Sequence, residues 1–514
     1  MTGSLGAGLD GVPDSVDVVV VGLGATGAGV ALDAATRGLS VLAVDAHDLA
    51  FGTSRWSSKM VHGGLRYLAH GQVGVAHESA VERGILMTTT APHLTHAMPY
   101  VVPTTTAHGV LDRALVSGGL VAGDVLRRGA RTPTSVLPRP RRLSTTELLR
   151  LAPGLRRDTL RGGHLSWDGQ LEDDARLVVT IARTAAAHGA RIRTRARALH
   201  ADGREVELRD ELTGQTRTVA ARVVVNAAGV WAGELAEVEL RPSRGTHLVL
   251  RAEALPGLAT AVFVPVPGSR SRFVMVLPQP DGTVYIGLTD EPVHGPVPDV
   301  ATPSEGEVDF LLDVAGGAFS HPLGRDDVAG AFAGLRPLLR SPQRHGGTAD
   351  LSRRHAVLTD RSGVVTIVGG KLTTYRRMAQ DALDAALDAA PDLEATRCVT
   401  ASLPLAGAAP RDRLAGLDVP ARLVRRFGAD AALVLATARR TTGLHDADLL
   451  APVADGVPVT MAELVFGVTH EGAHDVDDLL DRRTRVGLIA TDRAAAVPAA
   501  ELALAVAKKS RANL

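Results

Sequence analysis

Residues 16–27 read VDVVVVGLGATG, and this stretch decides the fold. Its first half, residues 16–21, is almost entirely β-branched and apolar, which is typical of a strand buried on both faces. Three glycines follow with the spacing GxGxxG. The first allows a tight turn, the second lets a pyrophosphate approach the backbone, and the third lets helix and strand pack closely. The stretch therefore predicts the strand–turn–helix unit of a dinucleotide-binding site.

The residues that follow complete a βαβ unit. Residues 29–38, GVALDAATRG, have helical spacing, and residues 40–44, SVLAV, predict a second buried strand. Asp45 closes that strand 18 residues after Gly27, where a carboxylate can accept hydrogen bonds from a ribose diol. An ordinary glycine-rich turn would explain the glycines but not the acid, and the motif does not separate NAD from FAD. The predicted cofactor-binding residues of this unit are Gly22, Gly24, Ala25, Thr26, Gly27 and Asp45.

Length and composition limit the class of protein. A chain of 514 residues exceeds the usual single core, so two or three domains are expected. The formal net charge of +0 provides no overall field that would attract nucleic acid. Cys398 is the one cysteine, so no internal disulfide can form, which suits a reducing cytoplasm. No apolar run approaches the roughly 20 residues of a membrane span, and residues 1–14 are predicted to be a flexible leader.

A family resemblance rests on two blocks of sequence. Residues 22–38, GLGATGAGVALDAATRG, and residues 51–68, FGTSRWSSKMVHGGLRYL, resemble the FAD-dependent glycerol-3-phosphate dehydrogenases of the aerobic, respiratory type. The family often has a glycine at the position of Leu23, a glutamate at the position of Asp45 and a threonine at the position of Ala228. An aspartate in place of glutamate keeps the negative charge but reaches less far toward the ribose. Further similar stretches follow in the family's order over nearly the whole chain: WDGQLEDDARL, VVNAAGVWA, RGTHLVL, IGLTDEP, FAGLRPLL, VVTIVGGKLTTYRRMAQDAL and LLDRRTRVGL.

The resemblance implies an α/β fold with three parts. An FAD-binding Rossmann-like domain, of the glutathione-reductase or D-amino-acid-oxidase type, is interleaved with an antiparallel-sheet substrate domain within residues 15–390. A C-terminal helical domain is expected over residues 395–514. The dipeptide at 281–282, Asp-Gly between two apolar runs, predicts a hairpin in the substrate part. The FAD-binding segments are expected at about residues 15–70, 165–235 and 345–390.

Hydroxyl groups and lysines in the matched blocks are candidate cofactor contacts. Helix capping is the alternative for any one of the hydroxyls. Lysine occurs four times, and Lys59 and Lys371 are the two outside the C-terminal tail. A lysine is a compact point charge with a tunable pKa, so either could face the flavin or the substrate and stabilise an anionic reduced ring. The predicted contacts are Thr53, Ser54, Ser57, Ser58, Lys59, Ala228, Gly229, Gly370, Lys371, Leu372 and Thr373.

The substrate that the resemblance implies is sn-glycerol 3-phosphate, oxidised to dihydroxyacetone phosphate by hydride transfer from C2 to FAD. A phosphate needs a group of cations, and the hydroxyl proton needs an acceptor. His62 is the favoured acceptor and His247 its rival, while Arg336 could instead polarise the hydroxyl. The substrate-binding residues implied by the family match are Arg66, Tyr67, Thr289, Arg336, Arg353 and Lys371.

The electron acceptor and the surroundings of the protein are less constrained. A respiratory quinone is the leading acceptor; alternatives are a glycerol-3-phosphate oxidase that uses oxygen and a flavin-binding protein without turnover. An amine or amino-acid oxidase would clamp a carboxylate, for which the cation set is too positive. Residues 125–142 carry six arginines after an apolar helix, so this segment is either a solvated loop or a contact with anionic lipid. We therefore predict a cytoplasmic protein, with a peripheral position on the inner face of the cell membrane and a homodimer left open.

The arginines at the start of the last matched stretch are predicted to be structural. The segment DDLLDRRTRVGL has a helical pattern and resembles the family's C-terminal signature. We expect helix-surface and interdomain ion pairs from Arg482, Arg483 and Arg485, and no ligand contact.

Overall fold

Two large sheets organise the molecule, which a computed structural model describes for residues 4–64, 67–68, 71–107, 109–269, 272–340 and 354–512. The strands are β1 Ser4–Ala7, β2 Ser15–Val21, β3 Val41–Val44, β4 Met60–Val61, β5 Thr95–Thr105, β6 Arg141–Leu143, β7 Leu160–Leu171, β8 Arg191–Thr194, β9 Ala196–Ala201, β10 Glu205–Asp210, β11 Thr216–Asn226, β12 Ser243–Arg251, β13 Ala261–Pro265, β14 Phe273–Pro278, β15 Thr283–Gly287, β16 Glu291–Pro292, β17 Val328–Arg336, β18 Ala356–Thr359, β19 Val365–Val368, β20 Pro452–Ala454 and β21 Val457–Thr460.

The α-helices within the described residues follow the same order along the chain. They are α1 Ala25–Thr36, α2 Val73–Ile85, α3 Val110–Gly129, α4 Thr145–Leu151, α5 Asp174–Ala187, α6 Glu305–Gly316, α7 Tyr375–Asp388, α8 Arg411–Ala415, α9 Ala421–Phe427, α10 Ala431–Thr442, α11 Asp446–Leu450, α12 Met461–His470 and α13 Ala490–Ala512. Short single turns of other helix types connect several of them.

The first sheet has nine strands and a parallel centre. Its main order is β1-β8-β3-β2-β11-β10-β9, with β19 beside the end of β11 and β18 beside β19. The pairs β3–β2, β2–β11 and β11–β19 are parallel, and the outer pairs with β9, β10 and β18 are antiparallel. Helices α1, α5 and α7 cover one face and bury an apolar cluster against it. The buried, β-branched β2 lies at the centre, as the all-apolar sequence predicted.

The second sheet has ten strands and forms the substrate part. Its order is β16-β12-β15-β14-β13-β5-β7-β4, with β17 beside β12 and β6 beside β7. Most pairs are antiparallel; β5–β13 is parallel. The hairpin predicted at residues 281–282 joins β14 to β15, and Gly282 has φ +85°, which suits glycine. The interleaving of two domains, which the resemblance implied, is therefore confirmed.

The C-terminal part is mainly helical. Helices α10, α12 and α13 pack around one apolar core, together with the hairpin of β20 and β21. Within the described residues, no helix is long and apolar enough to cross a membrane. The segment 478–483, expected to be a regular helix, forms a π-helical turn followed by a short 3-10 turn at Val486–Leu488.

The N-terminal segment differs from the predicted flexible leader. β1 pairs in parallel with β8 at the edge of the first sheet, and Leu9 and Val12 are buried. The Leu9 backbone N–H also donates to Asp210 at 2.8 Å. The prediction of a flexible leader is wrong for residues 4–14, because strand pairing with a distant segment, which no local periodicity announces, holds them in place.

Candidate active site

One cavity of about 1950 Å³ is lined by residues of both large sheets. Typical small-molecule pockets hold roughly 300–1,000 Å³, so this volume suits a long cofactor together with further ligands. The turn after β2, the segment 51–62, the start of α7 and the inner side of α3 all contribute to its walls. The cavity therefore brings together most of the segments that the sequence singled out.

The turn between β2 and α1 has the shape of a phosphate cradle. Gly22 has φ +99°, and a Cβ there would lie 2.6 Å from the carbonyl oxygen of Ala227. A Cβ on Gly27 would lie 1.8 Å from the oxygen of Gly22, so the predicted close helix–strand contact is present. Gly24 and Thr26 line the cavity at the N-terminal end of α1, where backbone N–H groups and the helix dipole favour an anion. This end of the cavity fits the pyrophosphate of FAD.

Asp45 lies at the end of β3 and lines the same part of the cavity. Its carboxylate accepts hydrogen bonds from the backbone N–H groups of Leu23, at 2.7 Å, and His47, at 2.8 Å. Burial raises the pKa of Asp45 to about 6 despite these two bonds. The carboxylate is thus held in a fixed orientation at the position where the nucleotide motif requires an acid.

An aromatic group beside Asp45 was not predicted. The rings of His47 and Phe51 stack at 3.9 Å, Trp231 lies 6.5 Å from Phe51, and all three line the cavity. Planar faces next to a ribose-binding acid suit the adenine end of a dinucleotide. In the sequence, Trp231 could be noticed only as part of the VVNAAGVWA stretch, which does not show that its ring lies beside Phe51. Ala228 and Gly229 line the cavity next to this group.

The four hydroxyls of the segment 53–58 line the cavity, and each has a protein partner. Thr53 Oγ1 donates to the carbonyl of Leu335 at 2.6 Å, and Ser54 Oγ accepts from the Ala25 N–H at 2.9 Å. Ser57 Oγ donates to Asp174 at 2.8 Å, and Ser58 Oγ lies 2.8 Å from His247 Nε2. The Ser54 bond satisfies the first N–H of α1, and the other three bonds do not cap a helix. They fix the segment as a wall of the cavity.

Lys59 lies behind that wall and is not among the residues that line the cavity. Its side chain is fully buried, and Nζ donates to Asp174 and to the carbonyl of Arg55, both at 2.6 Å. Burial, with the nearby charge of Arg485, lowers the pKa of Lys59 to about 8, against the opposing effect of Asp174. The expectation that Lys59 faces the flavin or substrate is wrong in this structure, because the ammonium compensates a buried carboxylate.

Lys371, unlike Lys59, is exposed to the cavity. It precedes α7, lines the cavity and is half-buried. Its ammonium donates to Ser79 Oγ and lies 4.4 Å from the centre of the Tyr67 ring. Gly370, Leu372 and Thr373 line the cavity beside it. Lys371 and Tyr67 therefore form a cationic and hydroxylated corner of the cavity.

The two candidate proton acceptors differ in environment. His62 is half-buried, lines the cavity, and its Nδ1 accepts a long hydrogen bond of 3.3 Å from the Gly64 N–H. His247 also lines the cavity, but it is fully buried and stacks on Phe332 at 4.8 Å. Burial, and then the charges of Lys59 and Arg336, hold the pKa of His247 well below its usual value. Protonation of the His247 ring is therefore disfavoured.

Four of the six predicted substrate-binding residues lie within the described residues, and two lie outside them. Arg336 lines the cavity at the end of β17 and donates to the carbonyl of Thr289 at 3.1 Å. Thr289 is buried, donates to Glu307 at 2.6 Å and does not line the cavity, so its position supports Arg336 and gives no direct contact. Arg66 and Arg353 lie outside the described residues.

A buried ion pair supports the turn that carries His62, and sequence reasoning missed it. Asp168 lines the cavity, accepts from Arg83 at 2.5 Å, and also accepts from the backbone N–H of Gly63 at 3.1 Å. Asp168 belongs to the WDGQLEDDARL stretch, which was the available signal. Arg83 on α2 thus fixes, through Asp168, the backbone next to His62.

The arginines of the last matched stretch form a buried interdomain network. Arg482 and Arg483 both pair with Asp48, at 2.6 and 2.8 Å, and Arg485 lies 3.8 Å from Asp174. The prediction of interdomain ion pairs is confirmed, while the predicted surface location is wrong, because all three side chains are buried. The network joins the C-terminal part to the loop after β3.

Comparison with known protein families gives a match for each of two regions of the chain. Residues 17–376 match the family model described as FAD dependent oxidoreductase. Residues 398–511 match the model described as the C-terminal domain of alpha-glycerophosphate oxidase.

Individual relatives cover nearly the whole chain. Glycerol-3-phosphate dehydrogenase 1 of Mycobacterium tuberculosis is 53% identical over 495 residues, which are 95% of this chain and 94% of that protein. The mitochondrial glycerol-3-phosphate dehydrogenase of Arabidopsis thaliana is 34% identical over 94% of this chain and 81% of that protein. The X-ray structure of a glycerol-3-phosphate dehydrogenase from Bacillus halodurans complexed with FAD is similar with a TM-score of 0.71 and 26% identity, covering 97% of this chain and 94% of that one.

Proposed function

The chain belongs to the FAD-dependent glycerol-3-phosphate dehydrogenase family, and from this premise we propose that it passes electrons from glycerol 3-phosphate to a quinone. It oxidises sn-glycerol 3-phosphate to dihydroxyacetone phosphate, with FAD as the cofactor. One observation supports the oxidation of glycerol 3-phosphate by FAD: a single cavity joins a dinucleotide cradle to a corner that holds Lys371, Tyr67 and His62. FAD, when bound, supplies a two-electron acceptor that takes a hydride from C2 of the substrate.

The cations at the cavity wall bind and orient the substrate phosphate. Lys371 provides a point charge, and Arg336 provides a planar set of donors that suits phosphate oxygens. Arg66, which precedes Tyr67 in the sequence, and Arg353 are proposed to complete the set. Binding by several cations fixes the substrate in one orientation, so the C2 hydrogen is held toward the cofactor and the transfer becomes effectively intramolecular.

His62 is proposed to accept the proton of the C2 hydroxyl. The hydrogen bond from Gly64 selects the tautomer with a lone pair at Nδ1, and its length of 3.3 Å makes it weak enough to be exchanged for the substrate hydroxyl. His247 is a poorer acceptor, because burial and two nearby positive charges disfavour its protonation. We assign His247 a positioning role through Ser58, which it contacts at 2.8 Å.

The remaining proposals concern the hydroxyls and the assembly. Thr53, Ser54, Ser57 and Ser58 line the cofactor side of the cavity and are proposed to contact FAD in addition to their protein partners. We also propose a cytoplasmic protein held on the inner face of the cell membrane, with a homodimer as its assembly. The family membership and the exposed arginines of residues 128–142 support the membrane position.

Anaerobic titration tests the reaction and its acceptor. The purified protein is expected to carry FAD, whose absorbance glycerol 3-phosphate bleaches without oxygen, and a quinone added afterwards restores the oxidised spectrum. Glycerol, which lacks the phosphate, is the matched control and should leave the absorbance unchanged. A protein that stays yellow with glycerol 3-phosphate would contradict the reaction. Rapid hydrogen peroxide formation in air, with no response to quinone, would replace the quinone proposal with the oxidase alternative.

A further inference from the structure

Helix α2 carries three buried polar side chains that lie outside the stretches of family resemblance. Ser79, Glu82 and Arg83 are 0%, 3% and 5% exposed. A helix repeats every 3.6 residues, so positions three and four apart share one face. Buried polar groups are normally paired, and the partners of these three lie in segments far along the chain. The face therefore joins parts of the corner around Lys371 and His62 that the sequence keeps apart.

Ser79 orients the ammonium of Lys371. Its hydroxyl donates to the carbonyl of Val75 at 2.5 Å, so a lone pair of the same oxygen is left to accept from Lys371 Nζ. Serine is a neutral partner, so this bond orients the ammonium without neutralising it, whereas Asp174 compensates the charge of Lys59. Ser79 thus fixes the position of a cation whose charge a ligand can use.

Arg83 holds the turn that carries His62. Its guanidinium donates to Asp168, and Asp168 accepts from the backbone N–H of Gly63 at 3.1 Å. The guanidinium also packs directly on Gly63, since a Cβ there would overlap the nitrogens of Arg83. Gly64 approaches the same helix, because a Cβ on it would lie 3.1 Å from a backbone atom of α2. The two residues that follow His62 are therefore held against α2.

Glu82 anchors the helix that follows Lys371. Its two carboxylate oxygens accept from Nε and Nη2 of Arg376, at 2.8 and 2.5 Å, in a bidentate pair. Arg376 lies in the first turn of α7, so this pair holds the backbone while Ser79 holds the side chain of Lys371. Removal of the Ser79 hydroxyl should therefore release the ammonium and leave the segment in place.

The two ends of the corner are thus attached to one rigid element. Ser79 and Arg83 are four residues apart, which is about 6 Å along a helix axis. The ring of Tyr67 lies beside both ends: its centre is 6.4 Å from the centre of the His62 ring and 4.4 Å from the Lys371 ammonium. A ligand that uses both groups must span the separation that the helix sets.

We propose that α2 acts as a spacer that sets the length of the substrate, with Ser79 and Arg83 as positioning residues for Lys371 and His62. The inference rests on the proposed function, in which Lys371 binds the phosphate and His62 accepts the hydroxyl proton. The substrate class that the spacer selects is a secondary alcohol with one methylene between the alcohol carbon and the phosphate ester.

Two phosphate esters of matching configuration test the spacer. Propane-1,2-diol 1-phosphate keeps the spacing of glycerol 3-phosphate, and 3-hydroxybutyl phosphate adds one methylene. A misplacement of about 1 Å costs roughly 100-fold in rate, so anaerobic bleaching of the wild-type flavin should favour the shorter ester by about that factor. Ser79→Ala lets the ammonium move, so this preference should fall at least fivefold while FAD content stays unchanged.

The matched control is Thr180→Val on α5. Thr180 is 2% exposed and donates to the carbonyl of Arg176, four residues earlier, at 2.7 Å, which is the kind of bond that Ser79 makes to Val75. Its loss removes a buried hydroxyl without a contact to Lys371, so the substrate preference should equal that of the wild type. A preference reduced equally in both variants would show general loosening and overturn the spacer.

The two positioning residues should affect different kinetic constants. Ser79→Ala should raise the KM for glycerol 3-phosphate at least fivefold with kcat nearly unchanged, because the phosphate-binding cation is displaced. Arg83→Lys keeps a positive charge beside Asp168 but lacks the planar contact with Gly63, so kcat should fall at least tenfold with KM nearly unchanged. Parallel changes of both constants in both variants would overturn the assignment.

Calorimetric titration of the holoenzyme with inorganic phosphate separates this inference from the proposed function. Ser79→Ala should bind phosphate at least fivefold more weakly than Thr180→Val, with or without turnover. A wild type that glycerol 3-phosphate does not bleach would remove the proposed function, while the phosphate titration would still test the position of Lys371. No phosphate binding by the wild type, or equal affinity in Ser79→Ala, would overturn the spacer.

Discussion

Lys59 and Lys371 lie in two segments of similar sequence character, yet the structure gives them different roles. Both follow small or hydroxylated residues in matched motifs. Lys59 has φ +57°, in the left-handed region that is uncommon for a lysine, and its fully buried ammonium pairs with Asp174. Lys371 is half-buried and lines the cavity. A motif thus selects a residue type, whereas the nearest carboxylate decides whether its charge is available to a ligand.

The largest expected effect follows from removing the buried charge. Lys59→Met leaves Asp174 without its main compensating cation, and breaking a buried pair costs about 3–5 kcal/mol. We expect a loss of that size in the free energy of unfolding, measured by urea denaturation. The double variant Lys59→Met/Asp174→Asn should recover part of the loss, because an uncharged side chain at position 174 needs no compensating cation and can still accept the bonds from Ser57.

The exposed tail provides the control for this variant. Lys508→Met should change the free energy of unfolding by less than about 0.5 kcal/mol, as surface substitutions usually do. If Lys59→Met proved as stable as Lys508→Met, the distinction between the two lysine sites would be lost.

An intermediate effect is expected at the cavity corner. Lys371→Met removes a charged hydrogen-bond donor, which is typically worth about 1.5–3 kcal/mol, so the KM for glycerol 3-phosphate should rise roughly 10- to 100-fold. The free energy of unfolding should fall by no more than about 1 kcal/mol, the value of one hydrogen bond. Steady-state kinetics and urea denaturation of the same preparation measure both. A large loss of stability with an unchanged KM would reverse the assignment of the two lysines.

The smallest effect is a pH dependence of stability. The pKa of Lys59 is about 8 in the folded chain and 10.5 when exposed, so below the lower value both states are charged and this group gives no slope. Between the two values the unfolded chain holds a proton that the folded chain has released, so the free energy of unfolding rises with pH. The stability difference between wild type and Lys59→Met should therefore widen from about pH 7 to about pH 9.5. A difference that narrows over this range would show that the folded pKa is raised.

The histidines offer a second comparison of the same kind. His62→Gln should reduce turnover strongly while FAD content stays near that of the wild type, because the proposed role of His62 is proton transfer. His247→Gln should affect turnover less, since burial and the nearby positive charges disfavour protonation of this ring, whose contact is with Ser58. Stopped-flow bleaching by glycerol 3-phosphate measures both variants, and equal rates for wild type and His62→Gln would remove His62 from the mechanism.

Local patterns predicted the nucleotide half of the fold well. Strand β2, the glycine turn, helix α1 and strand β3 follow one another in sequence, so periodicity and glycine spacing contain the needed information. The hairpin at Asp281-Gly282 is equally local. The N-terminal strand β1 was missed, because its partner β8 lies far along the chain. Pairing between distant segments leaves no periodic signal in either one.

The site was predicted as a set of segments, and its internal geometry was not. Gly370, Lys371 and the hydroxyls of residues 53–58 line the cavity. The partners that orient them come from elsewhere: Asp174 for Ser57, Asp168 and Arg83 beside His62, and Ser79 for Lys371. These contacts join residues up to 292 positions apart. No motif spacing encodes such contacts.

Short-range spacing and blocks of matched residues made the cofactor-binding unit, the family and the residue types of the site predictable. Folding alone brought together the partners that make Lys59 a structural charge and leave His247 fully buried. The physical reason is that burial and the distance between charges set the free energy of an ionised group. Both quantities are properties of segments brought together by folding.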